Sequence, residues 1–248
     1  MRIAALYDIH ANASALEAAL SVARASRAEL VVIGGDVVPG PLPRESLDLI
    51  ASLDLPVRCI RGNGESAVLA HLAGEALPHL PPNVRDSIAW TAAQLRPTDR
   101  ELIASWPPTL RLALPLLGDV LFCHATPRSD TEIFTRLTPD RSLLPIFDAA
   151  AASLVVCGHT HMQFDRTLGA TRVVNAGSVG MPFGAPGAWW LLLDETVEFR
   201  HTPFDLDAAA ARIRASAYPR AGDFADRHVL HPPSDEEMLA LLERGSVR

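Results

Sequence analysis

Ile3-Ala-Ala-Leu-Tyr-Asp8-Ile-His10 is followed by a helical run from Ala13 to Ala25 and then by Leu30-Val-Val-Ile-Gly-Gly-Asp36. The helical run is well marked: Asn12 and Ser14 can cap it, Glu17 stands three residues after Ser14, and Leu16, Leu20 and Ala23 recur at helical spacing. The alternation continues through a helical stretch from Arg44 to Leu53 and an apolar one from Val57 to Ile60. Short apolar strands separated by single helices are βαβ units, and their sheet is parallel.

Beyond Gly64 the pattern changes. Helical segments up to Trp106 are broken by Pro78, Pro81, Pro82, Pro97, Pro107 and Pro108, which reads as a small helical insertion over about 65–109 within one domain, 1–248. Strand signals return as pairs: Leu110 to Leu114 with Val120 to Cys123, then Leu154 to Cys157, Arg172 to Val174, Trp189 to Leu193 and Val197 to His201. Short turns between the late pairs predict antiparallel strands. A polar helical tail occupies about 205–248, loose from Tyr218 to Pro233 and amphipathic from Glu236 to Leu242.

The 248 residues are 48% hydrophobic, enough to fill a sizeable core, and the net charge of -7 gives no basic excess to draw the chain onto phosphate backbones or anionic lipid. Nonspecific nucleic-acid binding is not expected. All 22 basic residues are arginine, so chemistry that needs a lysine amine is excluded. Cys59, Cys123 and Cys157 are scattered through apolar runs and read as reduced core residues, so any metal would be held by nitrogen and oxygen. No apolar stretch approaches the ~18 residues of a membrane span, and the start lacks a basic leader. A cytoplasmic location is the expectation.

Five segments place His, Asp or Asn just past an apolar run: Asp8-Ile9-His10, Gly35-Asp36, Gly62-Asn63, Cys123-His124 and Gly158-His159-Thr160-His161. Ligands bind at the carboxyl ends of strands in open α/β sheets, so these residues are expected to build one site. In an extended segment Asp8 and His10, and likewise His159 and His161, would point the same way as two-toothed clamps. Imidazoles and carboxylates suit Zn, Mn, Fe or Ni, and the ligand count exceeds the need of one tetrahedral ion. Each piece alone has a plainer reading: Asp8 as a cap, His124 as a satisfied core histidine, Asn63 as a turn residue. Their conjunction in one order favours two ions.

The series Asp8-x-His10, Gly35-Asp36, Gly62-Asn63, His124 and Gly158-His-Thr-His161 resembles the signature of the calcineurin-like metallophosphoesterases. The continuation Asn175-Ala-Gly-Ser-Val-Gly180 and the following strands resemble the compact YfcE-like phosphodiesterase branch. The resemblance implies a four-layer αββα sandwich of two mixed sheets flanked by helices, with a two-metal site at their shared edge. It assigns Asp8, His10, Asp36 and His161 to one metal, with Asp36 bridging to a second held by Asn63, His124 and His159. The reaction it implies is hydrolysis of a phosphodiester or phosphomonoester by a hydroxide held between the metals, with Asp36, Asn63 and His124 as catalytic residues. Manganese is the expected ion, with iron, zinc or nickel as alternatives, and the substrate a small phosphorylated molecule such as a nucleotide.

One position departs from the pattern. The family's Gly-Asn-His-Asp/Glu reads here as Gly62-Asn63-Gly64-Glu65, so the histidine that assists the leaving group is absent. Arg128 follows His124 closely and could fork onto a phosphate or form a surface salt bridge; Ser178 and Phe183 read as a rim that touches substrate. Two other functions stay open at this level: a binding module that kept the fold and lost catalysis, for which the missing histidine speaks, and a protein phosphatase.

Overall fold

The computed structural model describes residues 1–247. Its first elements follow the alternating pattern: β1 (Ile3–Leu6), α1 (Ala13–Ala25), β2 (Leu30–Ile33), α2 (Pro43–Ala51) and β3 (Val57–Cys59), with β1, β2 and β3 paired in parallel. Asn12 starts α1, its Oδ1 accepting from the Ala15 amide at 3.3 Å. Three helices, α3 (Asn63–Leu72), α4 (Pro82–Gln94) and α5 (Pro97–Ser105), precede the antiparallel pair β4 (Thr109–Leu114) and β5 (Gly118–Cys123). Proline at the first turn starts α2, α4 and α5, where its missing amide costs no helical hydrogen bond.

After α6 (Asp140–Asp148) come β6 (Leu154–Cys157), β7 (Phe164–Leu168), β8 (Thr171–Asn175), β9 (Ala188–Leu193) and β10 (Val197–Thr202). The sheets run β10-β9-β1-β2-β3 and β4-β5-β6-β8-β7, each mixing parallel and antiparallel pairs. β7 escapes the sequence reading because Asp165, Arg166 and Thr167 interrupt its apolar pattern, and as an edge strand it needs only Phe164 and Leu168 buried.

Side-chain alternation along the strands decides the layers. Ile3, Ala5 and Leu191 of the first sheet pack against Val120, Phe122 and Val156 of the second, forming the core between the sheets. Their neighbours Ala4, Leu6 and Trp190 turn the other way onto α1 to α5, while Leu121, Val155 and Val173 meet Leu143, Ile146 and Phe147 of α6 and its approach. Helices therefore cover both outer faces of two facing sheets, the four-layer arrangement.

The tail is more ordered than its composition indicates. It forms α7 (Leu206–Arg214), α8 (Ala221–Phe224), a π-helical stretch (Ala225–Leu230) and α9 (Asp235–Leu242), so the segment that reads as loose is largely helical. Phe224, Ala225 and Val229 supply the buried face that organises it, packing in one cluster with Ala209, Ile213 and Ala13. Among the described residues no helix is long and apolar enough to cross a membrane. The three cysteines are free, Cys123 and Cys157 fully buried.

Candidate metal centre

Asp8, Asp36, Asn63, His124, His159 and His161 all lie just past β1, β2, β3, β5 and β6, and the packing of the two sheets brings those ends together. His10 Nε2 and His161 Nε2 face each other at 3.1 Å, and His124 Nε2 lies 2.9 Å from Asn63 Oδ1. Asp36 reaches both halves, with Oδ2 3.8 Å from His10 Nε2 and Oδ1 3.5 Å from His124 Nε2. Two overlapping groups have ligating atoms within 4.8 Å of one another: Asp8, His10 and His161; and Asp8, Asp36 and His124. His159 stands outside both, its ring edge-on to that of His124 with centroids 5.2 Å apart.

The residues are not held as extended clamps. Asp8, His10, Asp36, His159 and His161 all have positive φ, between 47° and 66°. For non-glycine residues this conformation costs on the order of 1 kcal/mol each, and long-range hydrogen bonds hold it here. The Asp8 and His10 amides donate to the carbonyls of Gly35 and Asp36 at 3.2 and 2.8 Å, and the His159 amide donates to Asp8 Oδ2 at 2.8 Å. Period-two alternation fails because each strand has already ended, β1 at Leu6 and β6 at Cys157.

Backbone carbonyls set the imidazole tautomers. His124 Nδ1 is 3.0 Å from the Gly34 carbonyl and His161 Nδ1 is 2.7 Å from that of Met181, which leaves each Nε2 lone pair aimed inward. Glu65, fully buried, accepts from the amides of Asp36, Val38 and Gly62 at 2.8 to 2.9 Å. It thereby ties the Asp36 loop to the start of α3, a positioning role that sequence spacing alone leaves undecided.

The decisive atom is Asp8 Oδ1. It is buried without a hydrogen-bond partner among the described residues, while three imidazole nitrogens face it: His161 Nε2 at 3.4 Å, His124 Nε2 at 3.8 Å and His10 Nε2 at 3.9 Å. An unpaired carboxylate oxygen in a dry interior is expensive unless a protonated imidazole or a cation offsets its charge. A divalent cation would offset the carboxylate charge with the surrounding imidazoles neutral, so the donor set fits a metal.

A family model described as the calcineurin-like phosphoesterase superfamily domain matches residues 1–196. The chain belongs to the calcineurin-like phosphoesterase superfamily. It is accordingly a hydrolase of phosphoester bonds, in a superfamily whose members depend on metal. The structure of PH1004 from Pyrococcus horikoshii superimposes with a TM-score of 0.81 over 94% of this chain and 99% of its own, at 21% identity, a likeness of fold. A metallophosphoesterase from Sphaerobacter thermophilus matches with a TM-score of 0.71 and 26% identity over 92% of this chain and 97% of its own. The Methanocaldococcus jannaschii protein MJ0912 is 27% identical over 238 residues, 88% of this chain and 93% of its own.

The remaining candidates of this phosphoesterase divide. Phe183 lies at the site, its ring stacked on His161 with centroids 5.3 Å apart. Arg128 lines a cavity of about 320 Å³ beside His124, but its guanidinium is held by Glu132 at 2.6 Å, the salt-bridge alternative. Ser178 is corrected: fully buried, its hydroxyl donates to the Asp8 carbonyl at 2.7 Å and accepts from the Met181 amide at 2.8 Å, so it braces the loop and has no face for substrate. Asn175, which the sequence reading used only as part of a motif, anchors the His159 loop by donating to the Gly158 carbonyl at 2.6 Å.

Charge in the metal-free centre responds to pH in a predictable sense. Burial opposes protonation of His124 and His161, but Asp36 and Asp8 beside the first, and Asp8 beside the second, raise both above the usual range. Burial and nearby imidazoles push His10 and His159 down to about 3, and burial lifts Glu65 to about 7. From about pH 7.5, a unit above the ordinary histidine value, His10 and His159 are neutral in folded and unfolded chains alike. His124 and His161 hold protons there that the unfolded chain has lost, so the stability they contribute falls as pH rises through their folded values, and Glu65 acts in the same sense up to about 7. Denaturant titrations in chelator should therefore show stability falling above about pH 7.5, by roughly 1 kcal/mol per pH unit for each of His124 and His161 still titrating. Manganese-loaded protein should show the opposite slope, because metal binding requires the same imidazoles neutral. Equal slopes in both forms would show that these histidines do not bind metal.

Proposed function

We propose that this chain hydrolyses a small phosphodiester at a dinuclear centre, with Asp8, His10, Asp36 and His161 holding one divalent ion and Asp36, Asn63, His124 and His159 the other. The observation that carries the reading is the buried, unpartnered Asp8 Oδ1 facing three imidazole nitrogens. The two overlapping ligand groups and the reach of Asp36 to both His10 and His124 support two ions, and the family supports phosphoester chemistry. Manganese is the proposed ion because nitrogen-rich ligation disfavours magnesium, which keeps oxygen ligands and its waters.

Bound divalent cations lower the pKa of water and offset the charge that builds on phosphoryl oxygens. The chain's own residues supply orientation. The Gly64 amide donates to Asp36 Oδ1 at 2.7 Å, fixing the carboxylate between the two halves of the site. Asn63 opens α3, whose positive end would favour a phosphoryl group bound beside it. In this reading Arg128, exposed and paired with Glu132, exchanges that partner for a phosphate oxygen.

Protein stripped with chelator, dialysed and reloaded with manganese tests the reading with bis(p-nitrophenyl) phosphate. Removal should lower turnover by at least ~100-fold and reloading should restore it with two ions per chain. Full turnover by protein shown to contain no metal would overturn it.

A further inference from the structure

The segment beyond the family match closes a cavity of about 470 Å³ over the metal centre. His10 lies at one end; α4 contributes Asn83, Val84 and Ser87, and the tail contributes the opposite wall. The two walls are tied together where the Tyr218 hydroxyl meets Ser87 Oγ at 2.8 Å. The volume falls within the range of small-molecule sites.

Its lining has a definite chemistry. Phe183, Tyr218 and Phe224 present aromatic surface, and Met181 and Met238 add polarisable sulfur, a combination that suits a flat ring. Phe183 stacks on His161, so the cavity begins one ring away from the candidate metal ligands. At the far side Arg220 is paired with Asp223 at 2.6 Å, whereas Arg227 has no ionic partner among the described residues. His228 borders the cavity with its ring 5.2 Å from that of Phe224, and its Nδ1 is buried without a hydrogen bond. A bare nitrogen is cheaper to bury than an unpaired N–H, which assigns the proton to Nε2 on the open side. No position in the family signature supplies these tail residues.

We propose that this cavity is the subsite for the organic group of the phosphoester, a flat aromatic ring bearing an acceptor or anionic substituent that His228 and Arg227 engage. The inference rests on the metal-centre reading. It makes the tail the source of substrate selection, while the strand ends supply the chemistry.

Calorimetric binding of methylphosphonate, phenylphosphonate and 4-carboxyphenylphosphonate to manganese-loaded protein tests it without turnover, with metal content and melting temperature recorded for every variant. Wild-type protein should bind phenylphosphonate at least ~10-fold more tightly than methylphosphonate, as burial of a ring predicts, and the carboxylated probe more tightly again. Met238→Trp, which narrows the cavity, should lower the phenyl-to-methyl ratio measurably. His228→Ala should reduce the gain from the carboxylate more than it changes phenylphosphonate binding. A wild-type ratio near unity, or a ratio unchanged by Met238→Trp, overturns the subsite; a carboxylate gain undiminished by His228→Ala overturns the role of His228. If methylphosphonate itself fails to bind the loaded protein, the phosphoesterase reading falls, an outcome distinct from loss of the ratio alone.

Discussion

Asp8→Asn is expected to cut phosphodiester turnover by at least ~10³-fold, corresponding to the several kcal/mol of charge stabilisation that bound cations provide. The substitution is nearly isosteric. Its retained oxygen can still accept from the His159 amide, now 2.8 Å from Asp8 Oδ2, and asparagine tolerates the φ of 53° at this position better than most residues. What it removes is the negative charge at the unpartnered Oδ1, and it puts an N–H₂ donor where His161, His124 and His10 Nε2 converge. That donor competes with a cation for whichever imidazole nitrogen it reaches. Metal analysis of the purified variant should show fewer ions than wild type, with a cooperative melt confirming the fold. A variant with full metal content and near-normal kcat/KM would show that Asp8 is not a ligand.

Gly64→Ala should cost at least ~3 kcal/mol of stability, opposite in sign to the ~1 kcal/mol gain that glycine-to-alanine changes give inside an ordinary helix. Gly64 is the second residue of α3, and its φ is not positive, so backbone strain is not the reason. The reason is contact. A Cβ at this position would lie 2.3 Å from the Val38 carbonyl oxygen, 2.7 Å from Pro39 Cδ and 2.9 Å from Asp36 Oδ1. Gly64→His should therefore not restore the absent leaving-group acid; it should displace Asp36, release metal and lower turnover by more than ~100-fold. Denaturant unfolding of both variants beside metal content distinguishes the outcomes. A stable, metal-replete Gly64→His protein that gains rate on poor leaving groups would show that the Val38–Pro39 segment yields, and that the missing histidine had been limiting.

Close packing at Gly64 also changes what its departure from the family pattern means. The position is occupied by the neighbouring Val38–Pro39 backbone, and Asp36 receives the Gly64 amide at 2.7 Å in return. At the position where the family pattern has histidine, the Gly64 amide and the close Val38–Pro39 segment thus hold Asp36. A site that had drifted to a pure binding role has no reason to keep a buried unpartnered carboxylate oxygen among three imidazoles.

The sequence by itself determined the parallel start of the first sheet, the first helix and its Asn12 cap, and the strand-end placement of Asp8, Asp36, Asn63, His124, His159 and His161. These are local properties: side-chain period, capping chemistry and the residue that follows an apolar run. The face-to-face packing of the sheets became an expectation only through the family resemblance, because alternation along a strand says which residues are buried and not what buries them. Tertiary structure alone decided the rest. The left-handed conformations of five candidate ligands are imposed by hydrogen bonds from distant loops, against local preference, so no reading of Asp8-Ile-His10 as an extended clamp could anticipate them. Ser178 and Glu65 acquire bracing roles from partners up to 170 residues away in sequence. The cavity of His228 and Arg227 exists only because Phe224, Ala225 and Val229 fold a polar tail onto the domain, a long-range burial that no short motif encodes.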